Sequence, residues 1–148
     1  MANSALQIEL NTATTVNSGA NVLFDNVIYS AGGILYSPVT GVVTFSETGR
    51  YVIDWWLATQ SSQGINGTSF ALSSSNGAFL EGNSPIKTGE VFGIGIVEVT
   101  TAPVTLSLVN NSNAMVFFPE HVSLKGTLVI VEDDLNTGAG PTGATSCD

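Results

Sequence analysis

Short runs in which every second residue is apolar recur along the whole chain, separated by clusters of glycine, asparagine and serine. Alternation with a period of two is typical of strands, and no window keeps the i, i+3, i+4, i+7 spacing of an amphipathic helix. The sequence therefore predicts an all-β fold, and its many short strands favour a two-sheet sandwich or jelly roll over a meander. The predicted strands are Leu6–Leu10, Val22–Tyr29, Ile34–Ser37, Gly41–Ser46, Tyr51–Thr59, Thr68–Ser73, Ala78–Glu81, Glu90–Thr100, Val104–Asn110, Met115–Phe118 and Val122–Val131.

The two faces of the predicted strand Tyr51–Thr59 are both largely apolar. Alternation places Trp55 on one face, with Tyr51, Ile53 and Leu57, and Trp56 on the other, with Val52, Asp54 and Ala58. In a two-layer sandwich only one face of a sheet contacts the other sheet. The second apolar face therefore predicts contact with another chain.

The charge content leads to the same prediction. Twelve acidic residues and three basic ones give a formal net charge of −9, yet charged residues make up only 10% of the chain, compared with about 25% in an average domain. A surface so poor in charge indicates that part of it is hidden between subunits. Because the sequence has no cluster of Lys and Arg that could neutralise phosphates, we expect no nucleic-acid partner.

Length and cysteine content predict one folded domain with a short tail. A chain of 148 residues can bury a core without a disulfide or a structural metal. Its single cysteine, Cys147, excludes an intrachain disulfide and a Cys/His zinc site. The start of the chain has neither a basic segment nor an apolar run, and no stretch is long and apolar enough to span a membrane. We expect no signal peptide in this chain and no membrane insertion.

The last residues differ in composition from the rest. Residues 138–148 have no apolar side chain large enough to anchor a core, and they include the triplets Gly140-Pro141-Thr142 and Gly143-Ala144-Thr145. Glycine at every third position is what a collagen triple helix requires, whereas the same composition also suits a flexible linker. We predict a folded domain over 1–134 and a flexible Gly/Pro/Thr tail over 135–148 with two collagen-like triplets.

Three segments resemble a known family. They are NVLFDNVIYS, GVVTFSETGRYVIDWWLA and VSLKGTLVIVE, and they are similar to the jelly-roll domain shared by complement C1q and the tumour-necrosis-factor superfamily. A fourth segment, KTGEVFGIGIVEVTTAPVTLSLVNNSNAMV, resembles the C-terminal heads of the collagen-like exosporium glycoproteins of endospore-forming bacteria (BclA type) in length and turn placement. The resemblance extends from about Leu6 to Glu132.

This resemblance implies a ten-stranded jelly roll that assembles as a compact homotrimer at the end of a collagen-like stalk. It also implies an extracellular location, on the exosporium of a bacterial spore. It makes Trp55 a core residue and Trp56 an interface residue. The stalk of the bacterial relatives usually precedes the head, whereas here the triplets follow it. The trimer-interface residues expected from it are Val52, Asp54, Trp56, Thr127 and Val129.

Residues suited to catalysis are sparse, so we expect no catalytic residues and no enzymatic activity. The only histidine, His121, lies beside Glu120, and no particular serine or acid completes a triad with it. We interpret His121 as a surface or interface residue at the start of a strand. The consecutive acids Glu132, Asp133 and Asp134 suit a solvated cap at the chain end better than an acid/base pair.

Two interpretations of Asp54 remain open. Its carboxylate lies in a strand that we expect to be covered, so it needs a hydrogen-bond partner, exposure at the strand end or a cation. Three copies near a three-fold axis would suit calcium, although we expect that no cofactor is needed for folding.

A second function also stays open, because exposed tryptophans can stack on sugar rings. The alternative to a structural trimeric head is therefore a carbohydrate- or receptor-binding, lectin-like head.

Overall fold

The computed structural model describes residues 3–62 and 67–133, and these residues form strands joined by turns and loops. No helix in this part of the chain is long and apolar enough to cross a membrane. The strands are β1 (Ala5–Leu10), β2 (Thr15–Val16), β3 (Asn26–Ala31), β4 (Ile34–Ser37), β5 (Val42–Phe45), β6 (Gly49–Thr59), β7 (Ser61–Ser62), β8 (Thr68–Ser74), β9 (Phe79–Ser84), β10 (Gly89–Val99), β11 (Val104–Asn110), β12 (Val116–Phe117) and β13 (Gly126–Asp133).

Ten of these strands form two five-stranded antiparallel sheets. The first sheet has the order β10-β6-β13-β1-β3, and the second has the order β4-β5-β11-β8-β9. The short strands form a third sheet, β2-β12-β7. Successive strands repeatedly leave one large sheet for the other, as in a jelly roll rather than a meander. The predicted two-sheet all-β fold is therefore confirmed.

The core lies between the two large sheets and is centred on β6. Tyr51, Ile53, Trp55 and Leu57 are buried on the inward face of this strand, as the alternation predicted. The Trp55 ring contacts the ring of Phe70 edge-on, at a centroid distance of 6.2 Å. Trp55 is therefore a core residue, as the family resemblance implied.

Glycines on the neighbouring strand β10 and on β9 of the facing sheet make room for the Trp55 indole. A Cβ atom at Gly93 would lie 2.8 Å from Trp55 Nε1, and one at Gly82 would lie 2.5 Å from Trp55 Cζ2. At Gly95 the nearest atom is Leu80 Cδ1, at 2.6 Å. Gly93 and Gly95 thus make room for side chains within this chain.

Two strands begin later than the sequence predicts, and long-range side-chain hydrogen bonds hold the segment before each of them. The segment predicted from Val22 becomes a strand only at Asn26, since Asp25 Oδ1 accepts hydrogen bonds from the amides of Asn11 (2.8 Å) and Thr12 (3.3 Å). The segment predicted from Val122 becomes a strand only at Gly126. There the buried Lys125 donates from Nζ to the carbonyls of Asn11 (2.9 Å) and Val122 (2.6 Å).

The sandwich has two distinct ends, which we call the terminal end and the loop end. At the terminal end the first and last described strands meet, with Ser4 N donating to Glu132 Oε1 and Glu132 N donating to Ser4 O, both at 2.9 Å. The antiparallel register places Leu10, Gly126 and Leu57 together at the opposite, loop end. The connections β1–β3, β9–β10 and β11–β13 lie at this end, with the small third sheet.

Candidate functional site

The outward face of the first sheet carries all five of the predicted interface residues. Trp56 pairs with Thr127, and Asp54 pairs with Val129, on the neighbouring strands β6 and β13. Val52 lies on the same face and pairs with Val131. The structure therefore brings the predicted set together on one surface. Trp56 is only partly exposed there.

Strand β10 extends this surface with three large apolar side chains. Phe92 pairs with Trp56, Ile94 with Asp54, and Ile96 with Val52, so each row of the sheet continues across three strands. Their exposed fractions are 67% for Phe92, 68% for Ile94 and 60% for Ile96. We call this surface the apolar face, and its members are Val52, Trp56, Phe92, Ile94, Ile96, Val129 and Val131.

The predicted interface residues do not include β10, although its sequence carries a signal for one. Phe92, Ile94 and Ile96 lie on one side of this strand and alternate with Gly93 and Gly95 on the other. Strand β10 is also an edge strand. A long, apolar edge strand left in water is prone to pair with another chain.

A shallow hollow lies within the apolar face. Val52, Ile94, Gly95, Ile96 and Leu80 line a cavity of about 400 Å³. Because Gly95 has no side chain, Leu80 from the facing sheet forms part of the wall. The described residues that line the hollow are aliphatic or glycine, so it suits an apolar side chain.

A charged row borders the apolar face at the terminal end. Glu98, Arg50 and Asp133 pair across strands β10, β6 and β13. Arg50 forms an ion pair with Asp133, and Arg50 Nε is buried without a hydrogen-bond partner. Glu132 also has a partner, since its carboxylate accepts from Ser4 N. Glu132 and Asp133 belong to β13 and have these partners, and Asp133 is exposed, as expected for a solvated cap. Asp134 lies outside the described residues.

Asp54 is exposed on the apolar face between Ile94 and Val129. Among residues 3–62 and 67–133, no group of three or more His, Cys, Asp or Glu side chains is placed to hold a metal ion. One chain therefore offers a cation a single carboxylate at this position. The calcium interpretation requires carboxylates from several copies, and it stays a prediction.

His121 lies at the loop end, away from the apolar face. It is exposed in the loop before β13, rather than at the start of the strand, and it lines a cavity of about 530 Å³ with Glu120, Gln60 and Phe117. The tryptophan argument for sugar stacking is wrong for Trp55, which is 3% exposed. The collagen-like triplets and Cys147 lie outside the described residues.

Solved structures share this fold, although no protein-family model and no curated protein matches the chain. The globular domain of the zebrafish complement 1qA protein matches with a TM-score of 0.63 at 13% identity, covering 88% of this chain and 96% of that one. Murine APRIL at pH 5.0 matches with a TM-score of 0.65 at 12% identity, covering 88% of this chain and 99% of that one. Eiger TNF from S. frugiperda matches with a TM-score of 0.62 at 17% identity, covering 96% of this chain and 100% of that one. The chain thus has the jelly-roll fold of complement C1q and tumour-necrosis-factor domains.

Proposed function

We propose that this chain is a non-enzymatic head domain that assembles as a homotrimer through the apolar face. In this proposal it serves trimerisation, assembly and surface interaction for a collagen-like surface or spore-coat protein, on the exosporium of a bacterial spore. The observation that carries the proposal is the apolar face itself, whose three β10 side chains are each at least 60% exposed in the single chain.

Burial of this face in an assembly is favourable. A large apolar side chain contributes about 1.5–3 kcal/mol when it is fully removed from water, and the apolar face supplies several such side chains per chain. The charged row at its border favours a defined register, because Arg50 and the acids Glu98 and Asp133 would be costly to bury unpaired. A closed ring of copies covers the face on every chain, whereas an open stack leaves the last one exposed.

The positions of the first and last described strands fit a head attached to a stalk. Ser4 and Asp133 both lie at the terminal end, so the chain enters and leaves the head on the same side. A stalk that precedes the head and one that follows it would therefore attach at the same end. In either case the loop end is free for contacts with a surface or a ligand.

Light scattering on the full chain tests the trimer. We expect a mass of about three times the chain mass of 15.3 kDa at micromolar concentration. Ile94→Lys should yield monomers, because a lysine in the buried face would lose its hydration without gaining a partner. Leu35→Lys is the matched control, since Leu35 is 59% exposed on the outward side of the other sheet. A monomeric or dimeric wild-type chain would overturn the proposal.

A second candidate function, a carbohydrate-binding head, is favoured by a groove at the loop end. The groove is separate from the apolar face and lies at the edge of the second sheet. Its residues carry hydroxyl and amide groups, which are the groups that recognise sugars. A site at this position would be free in a stalk-bound trimer.

A further inference from the structure

The groove at the loop end lies where strands β8, β9 and β11 meet the adjoining loops. It has a volume of about 620 Å³, which falls within the range of sites for small ligands. We call it the polar groove. The polar residues that line it include Thr68, Ser69, Asn83, Asn111, Ser112 and Asn113.

The lining of the polar groove has no charged side chain, and the carboxylate in contact with it is that of Glu81, whose Oε1 accepts a hydrogen bond from Asn83 Nδ2 at 3.3 Å. The described residues that line it include no Asp, Glu, Lys, Arg or His, although the chain has a net charge of −9. Amide and hydroxyl groups both donate and accept hydrogen bonds. Such a lining suits a neutral ligand with many hydroxyl groups, while the acidic chain as a whole repels an anion.

Hydrogen bonds hold the wall of the groove in place before any ligand arrives. Ser69 N donates to Ser112 Oγ at 2.9 Å, and Ser112 Oγ donates back to Ser69 O at 3.1 Å. Asn111 donates from its backbone N to Ser69 O at 2.8 Å and from Nδ2 to Ser69 Oγ at 3.1 Å. These bonds leave the amide oxygen of Asn111 able to accept one from a ligand, and a wall already ordered loses little entropy on binding.

A buried asparagine side chain, that of Asn110, holds the loop behind this wall. Asn110 is 1% exposed, and its Nδ2 donates to the carbonyls of Val16 (3.0 Å) and Ala114 (3.1 Å). Its Oδ1 accepts from Ser112 N at 2.9 Å. The loop that carries Asn111, Ser112 and Asn113 is therefore anchored to the sandwich by a buried side chain.

Thr68 borders the groove but turns its hydroxyl away from solvent. The residue is 4% exposed, and its Oγ1 is buried without a hydrogen-bond partner. The contacts that the groove offers a ligand therefore come from its exposed amide and hydroxyl groups.

We propose that the polar groove binds the hydroxyl groups of a neutral sugar, and that this chain therefore recognises neutral glycans at its loop end. Asn83, Asn111 and Asn113, which are exposed, contact the sugar with their amides. The inference goes beyond trimer assembly and does not depend on it, because every lining residue belongs to one chain.

An NMR titration of the full chain tests the proposal. The probes are galactose, glucose, mannose, N-acetylglucosamine and N-acetylgalactosamine, added up to tens of millimolar, with sialic acid as the charged comparison. We expect at least one neutral sugar to shift the amide signals of Ser69, Asn83 and Asn111 selectively. Shifts confined to the cavity around Phe117 and His121, stronger binding of sialic acid, or no shifts with any of these sugars would each overturn it.

Variants make the test specific to the groove. Asn83→Ala and Asn113→Ala should each weaken binding by about tenfold, the effect of one lost hydrogen bond. Asn3→Ala is the control, since Asn3 is exposed at the terminal end. Unchanged affinity in both groove variants would contradict the proposal. Ile94→Lys should bind the sugar as wild type does, so failure of the trimer and failure of the groove are distinguishable.

Discussion

Two tyrosine hydroxyls bind backbone carbonyls at the border of the core. Tyr36 Oη donates to Phe24 O at 2.7 Å, and Tyr51 Oη donates to Glu47 O at 2.9 Å. Burial raises the pKa of both phenols above the ordinary tyrosine value. For Tyr51 the negative charges of Glu132 and Glu47 raise the pKa further. For Tyr36 the hydrogen bond to Phe24 lowers it in part, and Asp25 raises it.

Replacing Tyr36 with Phe should have two separable effects on stability. Loss of the bond to Phe24 O lowers the free energy of unfolding by about 1 kcal/mol at neutral pH. In the wild type the raised pKa keeps Tyr36 neutral in the folded state while the unfolded chain ionises, so stability falls as pH rises above about 10. Tyr36→Phe should make that fall shallower.

Urea unfolding at about pH 8 and about pH 11 measures both effects, since the two values lie on either side of the ordinary tyrosine pKa. Tyr29→Phe is the matched control because Tyr29 is 57% exposed. A Tyr36 variant whose stability depends on pH as steeply as that of the wild type would contradict the expectation.

At the scale of strands, alternation predicted most of the fold. The bounds of Val104–Asn110 agree with the structure because an inward and an outward face alternate cleanly there, and those of Ile34–Ser37 also agree. The late starts of β3 and β13 could not be predicted in the same way. They depend on Asp25 and Lys125, which bond to Asn11 from distant parts of the chain, and no local pattern carries that information.

The contact between β10 and Trp55 yields a prediction about packing. Gly93→Ala should destabilise the fold by about 1–3 kcal/mol, because the added methyl group meets the rigid indole and overpacks the core. Gly95→Ala is the matched control, since its methyl group meets the flexible end of Leu80. The Gly95→Ala variant should lose less stability than the Gly93→Ala variant.

Thermal and urea unfolding measure how much stability the Gly93→Ala and Gly95→Ala variants each lose. A Trp55→Phe substitution combined with Gly93→Ala should recover part of the stability relative to the sum of the single changes, because the smaller ring vacates the space. Strictly additive effects would show that Gly93 is required for another reason.

At the scale of the whole molecule, the sequence predicted one candidate surface and not the other. Val52, Asp54 and Trp56 were identifiable because they alternate with core residues along a single strand. The polar groove is assembled from Ser69, Asn83 and Asn111, which lie far apart in sequence. Short polar residues at strand ends are also typical of turns. Only their juxtaposition in three dimensions distinguishes a groove from ordinary loops.

The last prediction concerns Cys147, which lies outside the described residues. Asp133 belongs to the charged row that borders the apolar face, so a trimer formed through that face brings three copies of Asp133 into one region. A flexible chain with as many residues as separate Asp133 from Cys147, which is what the composition predicts, spans about 20 Å. The three thiols would then share a high local concentration, and mild oxidation should join two of them and leave the third free.

Non-reducing electrophoresis after mild oxidation measures this pairing. We expect a dimer band in the wild type, no such band in Cys147→Ser, and a much weaker band in Ile94→Lys at the same protein concentration. The last comparison is decisive, because Ile94→Lys keeps the cysteine and removes only the assembly that gathers the chain ends. A band of equal strength in that variant would mean that random collisions join the thiols, and an exclusively monomeric wild type would mean that the tails keep them apart.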